Sequence, residues 1–324
     1  MVTYVEAIRE GFVHLLRTYP NVFTIGQGLW NPWYVGQSMR DLEKEFGKHR
    51  VLDTPASENA CTAAAIGASL FGYRPIVIHP RMDFMVLATD AIVNQAAKWH
   101  HMLGGQSSPA VTIRGIINRG GEQGAQHSQA LHAWYAHVPG LRVVMPATVR
   151  DARDLLISSV LSGAPVIYID DRWLYEREDD IPPIVERPLA GEMPRVLREG
   201  RDLTLVGAGY ATYLCEQAAD VLAAQRISAE VVDVRVLNPL ERAPIVRSVA
   251  KTGRLVVVDG GWRTAGLAAE IMASAAEGVD PRQVKKMPVR LCLPDAPAPT
   301  SGPLEQVYYT KVGDVVEAAR AMVG

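Results

Sequence analysis

Short runs of β-branched residues alternate with helical patterns along the chain, and this alternation most constrains its fold. It is typical of parallel α/β architecture, in which helices connect neighbouring strands across the face of a sheet. The first half predicts strands near residues 22–25, 51–53, 75–79, 110–115, 141–145 and 165–169, and helices over 4–16, 58–71, 83–103 and 149–161. The second half predicts strands near residues 203–206, 229–234, 254–259 and 289–293.

A polar segment interrupts the alternation between residues 176 and 200, and its Asp, Glu, Arg and Pro content is that of an interdomain linker. The 324 residues are also enough for two hydrophobic cores. We therefore predict two doubly wound α/β domains, at residues 1–180 and 197–324, with a linker over 181–196.

The composition excludes several classes of protein. A net charge of −2 does not indicate a nucleic-acid or membrane partner. The three cysteines lie far apart without a CxxC pair, which argues for reduced thiols rather than a disulfide framework or a zinc cluster. The first ten residues have the pattern of an amphipathic helix rather than a signal peptide, and no apolar stretch approaches the ~20 residues of a membrane span. A cytoplasmic location is the expectation.

An acidic residue, Glu58, stands where a loop leads into a helix of small residues. Pro55 and Ser57 are helix-start signals, and a carboxylate in the first turn suits the positive end of the helix dipole. From this segment alone, Glu58 is either a structural helix-start acid or a functional carboxylate.

Two further segments place polar side chains after predicted strands. The glycine-rich loop 120–129 contains Gln126 and His127, and a histidine there has the right pKa range for proton transfer. The segment after the strand at 75–79 contains His79, Arg81 and Phe84. Arg81 is suited to pair with an anion and Phe84 to stack on a planar heterocycle, although Phe84 also fits simple packing beneath the next helix.

Two other patterns predict little. The turn at 207–212 follows a strand, but Thr212 stands where a dinucleotide-binding fingerprint has its third glycine, so a plain tight turn is favoured. His127, His132 and His137 are spaced by five residues, which rotates each by ~140° on a helix, so the three cannot bind one metal ion from one helix face.

Many segments, in this order, resemble the beta subunit of the thiamine-diphosphate-dependent 2-oxo acid dehydrogenases of the pyruvate, branched-chain and acetoin types, in the transketolase superfamily. The matching segments are 53–55 with Glu58, 72–75, 83–84, 90–98, 104–106, 126–129, 137–141, 144–148, 237–240, 251–259 and 294–299. The resemblance spans nearly the whole chain and implies a pyrimidine-binding domain followed by a transketolase C-terminal-like domain.

The resemblance also implies roles for individual residues. Glu58 matches the glutamate that hydrogen-bonds N1′ of the cofactor's aminopyrimidine and promotes its imino tautomer. Phe84 matches the aromatic residue packed against that ring, and His127 matches an active-site histidine that works near substrate or acceptor. His79, Arg81 and Gln126 are further candidates for contacting substrate.

The half of the site that binds diphosphate and Mg²⁺ is missing from this sequence. It needs a Gly-Asp-Gly motif and a later Asn, and the nearest segment, 259–261, does not fit. In the family this half lies on an alpha subunit. The resemblance thus implies an α₂β₂ heterotetramer that holds thiamine diphosphate at α/β interfaces, a lipoyl acyltransferase as acyl acceptor, and K⁺ as a candidate cation.

The chain departs from the family pattern near the pocket. Ile78 stands where a glutamate is usual, Ala91 where a glutamine is usual, and the segment 79–81 replaces a typically uncharged one. These changes suggest an unusual substrate with an extra anionic group for Arg81 or His79. Two alternatives stay open: half of a split transketolase-like enzyme that uses an aldehyde acceptor without a lipoyl carrier, and a non-catalytic paralogue, against which Glu58 and His127 argue.

Overall fold

The computed structural model describes residues 1–31 and 33–324, which form two units. The first unit comprises Met1–Asn118 and Trp134–Glu192, and the second comprises Arg119–Ala133 and Met193–Gly324. The strands are β1 (Val2–Thr3), β2 (Val22–Gln27), β3 (Val51–Thr54), β4 (Arg74–His79), β5 (Thr112–Ile117), β6 (Arg142–Val144), β7 (Val166–Asp171), β8 (Glu178–Asp179), β9 (Arg195–Arg198), β10 (Leu203–Gly207), β11 (Ala229–Asp233), β12 (Val236–Asn238), β13 (Leu255–Trp262) and β14 (Val289–Leu293). The helices are α1 (Tyr4–Thr18), α2 (Leu42–Phe46), α3 (Glu58–Ser69), α4 (Trp99–Met102), α5 (His132–Ala136), α6 (Val149–Leu161), α7 (Tyr210–Ala224), α8 (Ala243–Thr252), α9 (Leu267–Gly278), α10 (Gly302–Tyr308) and α11 (Val312–Val323).

Each unit is built on a largely parallel sheet. Six strands of the first unit lie in the order β6-β7-β5-β4-β2-β3, with every neighbouring pair parallel. In the second unit the order is β14-β13-β10-β11-β9, and only the edge strand β9 is antiparallel to its neighbour. The non-sequential strand orders require crossover connections through helices. The predicted fold class, two doubly wound α/β domains, is confirmed.

The segment 83–103 is largely helical, as predicted, but it is not one regular α-helix. The chain forms a 3₁₀-helix at Met82–Ala88, a π-helix at Ala91–Ala96 and then the short helix α4. Side chains three residues apart eclipse one another in a 3₁₀-helix, so Met82 and Met85 both turn inward and are fully buried. The Met85 sulfur lies only 2.3 Å from where a Cβ on Gly115 would stand, so the glycine in β5 makes this tight packing possible.

A buried ion pair joins β5 to β7 in the middle of the first sheet. Arg114 and Asp170 are both fully buried, and the guanidinium donates from Nε and Nη2 to the two carboxylate oxygens at 2.8 Å each. Arg114 also donates to the Ser38 hydroxyl at 2.8 Å, and Tyr175 donates to Asp170 at 2.6 Å. Burial alone would lower the pKa of Arg114, but the negative charge of Asp170 raises it above its usual value. The pair therefore stays charged inside the protein.

Removing one partner of this pair should be costly. Arg114→Met leaves the Asp170 carboxylate buried without its counter-charge, so we expect a loss of about 3–5 kcal/mol in the free energy of unfolding. In a double-mutant cycle measured by urea denaturation, Arg114→Met with Asp170→Leu should cost clearly less than the sum of the single changes. The partly exposed pair Arg198–Asp220 serves as a control that should cost less than about 1 kcal/mol. Additive costs at Arg114 and Asp170 would contradict the account.

The loop that contains His127 is part of the second unit and contacts the rest of that unit at several points. The Glu122 amide donates to Glu305 at 3.0 Å, and the Gly302 amide donates to the Glu122 carboxylate at 2.7 Å. Gly124 has φ +72° and approaches Thr300 so closely that a Cβ would lie 2.6 Å from the Thr300 methyl. Glycine is required at this position by both backbone conformation and space.

A buried histidine–carboxylate pair lies at the end of this loop. With the proton assigned to Nε2, His132 donates to Asp259 at 2.9 Å, and both side chains are buried. The amides of Gly261 and Ala268 donate to the same carboxylate, each at 2.9 Å. Burial alone would raise the pKa of Asp259, but the charge and hydrogen bond of His132 and the two amides lower it below its usual range.

The stabilisation from Asp259 should depend on pH. Because its folded-state pKa lies below the unfolded value of about 3.9, the stabilisation is complete above about pH 4 and is lost as pH falls through the folded-state pKa. At neutral pH, Asp259→Asn should lower the free energy of unfolding by about 2–4 kcal/mol. Urea denaturation at several pH values should show a weaker acid dependence in the variant. Parallel curves for the two proteins would contradict this role of the carboxylate.

Candidate functional site

A cleft opens at the carboxyl edge of the first sheet, where the adjacent strands β3, β2 and β4 end. Its walls are Gly26, Gln27, Thr54, Pro55, Ser57, Glu58, Cys61, Val77, Ile78, His79 and Pro80. Its empty space, including the open mouth, is about 250 Å³. Ligands of open parallel sheets bind at this edge, so the cleft is the first candidate for a binding site in this unit.

Glu58 begins α3 at one wall of this cleft. The helix starts there as predicted, but Ser57 makes no side-chain hydrogen bond to the first turn, so the expected serine cap is not formed. The Glu58 carboxylate is half-buried, and among residues 1–31 and 33–324 it has no hydrogen-bond or ion-pair partner. A half-buried carboxylate without a partner, at the positive end of a helix, is arranged to accept a hydrogen bond from a ligand.

Gly26 and Ile78 line the cleft from the neighbouring strands β2 and β4. Ile78 is 1% exposed, and Gly26 on the neighbouring strand faces its carbonyl. A Cβ on Gly26 would lie 2.3 Å from the Ile78 oxygen, so only glycine allows the two backbones to approach in this way. The cleft therefore combines a carboxylate without a partner among the described residues, Glu58, with the closely spaced strands at Gly26 and Ile78. A planar heterocycle with a ring N–H would suit this combination.

His79 is buried and neutral, unlike a charged side chain that contacts substrate. Its side chain is 2% exposed, and its Nε2 lies 3.3 Å from the Thr62 hydroxyl. Burial lowers the pKa of His79 to about 4, so the imidazole is neutral at physiological pH. It lines the cleft as a neutral hydrogen-bonding group and does not supply positive charge.

Arg81 lies beside a second arginine that the sequence did not indicate. With the amide of Asn118 turned so that its oxygen faces the guanidinium, Asn118 accepts from Arg81 Nη2 at 3.2 Å and also from Nη1. Burial lowers the pKa of Arg81, and the nearby charge of Arg172 lowers it further, while Asp83 acts in the opposite direction. Arg172 donates to the Tyr34 carbonyl at 2.5 Å. Two cations and an amide thus meet at this part of the sheet edge.

Phe84 lies in the 3₁₀-helix after β4, where its amide donates to the Arg81 carbonyl at 3.2 Å. Its side chain is half-buried and is not among the residues that line the cleft. Gln126 and His127 belong to the loop of the second unit, where Gln126 is exposed and His127 half-buried. The His127 amide donates to the Gly124 carbonyl at 3.4 Å, so the histidine sits on a tight turn.

Asn118 and Arg172 are residues that sequence reasoning missed. Each stands one position beyond a strand, after β5 and β7 respectively, and this placement was the only available signal. Within the described residues, no group of three or more histidine, cysteine or acidic side chains is arranged to hold a metal ion. In the same part of the chain, no helix is long and apolar enough to cross a membrane.

Comparison with known proteins agrees with this architecture. Residues 1–177 match the transketolase pyrimidine-binding domain, and residues 193–315 match the transketolase C-terminal domain. The chain is 34% identical to the pyruvate dehydrogenase E1 component subunit beta of Rhizobium meliloti, over 99% of this chain and 70% of that protein. It is 36% identical to the acetoin:2,6-dichlorophenolindophenol oxidoreductase subunit beta of Cupriavidus necator, over 97% of this chain and 95% of that protein.

A solved structure shows the same fold. A split-gene transketolase, described as an inactive beta4 tetramer, superposes with a TM-score of 0.79 at 21% identity, covering 99% of this chain and 98% of that chain. The two matched domains and the full-length similarity to the beta subunits agree with the parallel sheets and the cleft at Glu58. The chain therefore belongs to the family of 2-oxo acid dehydrogenase beta subunits of the pyruvate and acetoin types, within the transketolase superfamily.

Proposed function

We propose that this chain is the beta subunit of a heteromeric, thiamine-diphosphate-dependent 2-oxo acid dehydrogenase. The complex decarboxylates a 2-oxo acid oxidatively and passes the acyl group to a lipoyl carrier. The observation that carries this proposal is the Glu58 carboxylate, which faces the cleft without a partner in the described chain. A helix-start acid with a purely structural role would need no cleft in front of it.

The residues of the cleft fit the aminopyrimidine of the cofactor. Glu58 would hold the proton at N1′, since a carboxylate is the acceptor that a ring N–H requires. Gly26 and Ile78 would pack against the ring and exclude water, which strengthens the hydrogen bond. When bound, thiamine diphosphate supplies the electron sink for decarboxylation.

Other residues of this chain have proposed supporting roles. Phe84 would pack against the cofactor's ring from the 3₁₀-helix that follows β4. His127 would hydrogen-bond or exchange a proton with substrate or acceptor, with Gln126 beside it as a polar contact. Contacts to the loop base, such as Glu122 with Glu305, would hold this histidine in position.

The diphosphate end of the cofactor needs a second chain. We propose an alpha subunit that binds Mg²⁺ and the diphosphate, in an α₂β₂ heterotetramer, with K⁺ as a candidate monovalent cation and a lipoyl acyltransferase as partner. The surface of α3 supports such an interface, because Ala60, Ala63 and Ala64 are exposed next to Glu58. Exposed alanines on a helix let another backbone approach closely.

Replacing Glu58 tests the catalytic proposal. Glu58→Gln removes the charge but keeps the shape, so turnover of the αβ complex should fall by about 100-fold or more. The free energy of unfolding should change by no more than about 0.5 kcal/mol, because Glu58 has no hydrogen-bond or ion-pair partner among the described residues. Steady-state rates and urea denaturation measure the two quantities.

The exposed Glu178 provides the matched control. Glu178→Gln should leave both the rate and the stability unchanged. A Glu58→Gln complex that assembles and turns over normally would overturn the proposed role. A loss of activity that follows only from unfolding would mean that Glu58 is structural.

Replacing Ala63 tests the shared site. Ala63→Arg on the exposed face of α3 should prevent close approach and weaken association with the alpha subunit by about tenfold or more. Thiamine diphosphate should bind tightly only to the assembled wild-type complex. Sedimentation and calorimetric titration measure assembly and binding.

The control is Ala223→Arg, which changes an exposed alanine of α7 in the second unit. It should leave assembly unaffected. Tight binding of thiamine diphosphate to the isolated chain, or normal assembly of Ala63→Arg, would contradict a site shared across α3.

A further inference from the structure

Two arginines that form no ion pair with a carboxylate of the described residues lie at the carboxyl edge of the first sheet. Arg81 follows β4, Asn118 follows β5 and Arg172 follows β7, and these three strands are neighbours. Ile117 is paired with Asp171, so Asn118 and Arg172 continue adjacent strands from matched positions. Adjacent strands lie about 4.8 Å apart, which places Asn118 between the two arginines.

The two cations lack an ion-pair partner in the described part of the chain. Among residues 1–31 and 33–324, neither Arg81 nor Arg172 forms an ion pair with a carboxylate. The carboxylates at the end of β7 have other roles: Asp170 pairs with Arg114, and Asp171 caps the turn at Trp173. The charge of Asp83 acts on the pKa of Arg81 in the direction opposite to that of Arg172.

The hydrogen-bond donors of the two arginines also indicate a site for an anion. Arg172 uses Nη2 for the Tyr34 carbonyl, while its Nε is buried and has no hydrogen-bond partner in the described structure. Arg81 is held against Asn118 and is only partly exposed. Like charges held together repel, and an oxyanion that accepts hydrogen bonds from both guanidiniums removes this repulsion.

The pair adjoins the cleft of Glu58. Pro80 lines that cleft, and Arg81 is the next residue, so their Cα atoms lie about 3.8 Å apart. His79, on the other side of Pro80, is buried and neutral, so the arginines supply the positive charge near the cleft. A substrate that reacts in the cleft could thus extend its far end toward Arg81.

We propose that Arg81, Asn118 and Arg172 form a subsite that binds an anionic group, a carboxylate or a phosphate, at the substrate end remote from the reacting carbonyl. This inference rests on the proposed function for the identity of the reacting end, but not for anion binding itself. It makes Arg81 and Arg172 specificity-determining residues, which select substrates with a second negative charge.

Direct binding to the full-length chain provides the first test. Glutarate, inorganic phosphate and the neutral diamide of glutaric acid are titrated by calorimetry at constant ionic strength. One of the two anions should bind about tenfold or more tightly than the diamide, and Arg81→Gln with Arg172→Gln should abolish that preference. A preference for glutarate indicates a dicarboxylic substrate, and a preference for phosphate indicates a phosphorylated one.

The control is Arg187→Gln, an exposed arginine of the same unit that should leave anion binding unchanged. Arg81→Lys with Arg172→Lys keeps the positive charge but removes the bidentate hydrogen bonding of the guanidinium groups, so it should retain part of the preference for the anion. The subsite is overturned if the anions bind no better than the diamide, or equally well to the wild type and the Gln double variant.

Selectivity of the assembled αβ complex provides the second test. The ratio of kcat/KM for an anion-bearing donor, such as 2-oxoglutarate or a phosphorylated ketose, to that for 2-oxobutanoate should fall about tenfold or more in the double Gln variant. An unchanged ratio overturns the subsite. Anion binding that depends on the arginines, in a complex that turns over no 2-oxo acid, overturns the proposed function but supports the subsite.

Discussion

The parallel arrangement of the first sheet is the constraint on which the rest of this unit depends. Because all six strands run in the same direction, the residue that follows each strand lies at the same edge of the sheet. Glu58 enters from the connection after β3, Ile78 from the end of β4, and Arg172 from the end of β7. Residues that are distant in sequence therefore lie at one edge of the sheet because of the strand direction, whatever the conformation of the connecting loops.

The buried pair of Arg114 and Asp170 fixes the alignment of the two strands that precede Asn118 and Arg172 in the proposed subsite. It joins β5 to β7 through two hydrogen bonds of 2.8 Å and ties in Ser38 from the first unit's loop region. A charged pair of this kind contributes geometric specificity, since its bidentate fork is satisfied in one register only. The same register therefore fixes the positions of Asn118 and Arg172 at the ends of these two strands.

Much of the fold could be predicted from sequence periodicity. The strand at residues 22–25 extends to Gln27, and the helix at Val149–Leu161 is where the pattern placed it, because apolar periodicity reports directly on burial. The helix types in the segment 83–103 could not be predicted, since the packing of Met82 and Met85 against Gly115 in the 3₁₀-helix depends on tertiary structure rather than on local preference. Ser57 marked the start of α3 correctly but not the hydrogen bond that usually goes with it.

The candidate site was only partly accessible to sequence reasoning. Glu58 and Arg81 could be singled out because each stands next to a strand or helix end, and the family resemblance gave Glu58 a role. Arg172 could not, because its proximity to Arg81 follows from the order of β4, β5 and β7 in the sheet. The sequence indicates His79 as a cation, yet its burial makes it neutral, and the residue type does not reveal how deeply a side chain at a strand end is buried.

The central claim is that Glu58 activates thiamine diphosphate held jointly with another chain. Its most direct test is hydrogen–deuterium exchange at the cofactor's C2 position in the assembled complex, followed by NMR after rapid quenching. The account predicts exchange about 100-fold or more faster in the wild type than in Glu58→Gln. Equal exchange rates in two equally assembled and equally loaded complexes would contradict it.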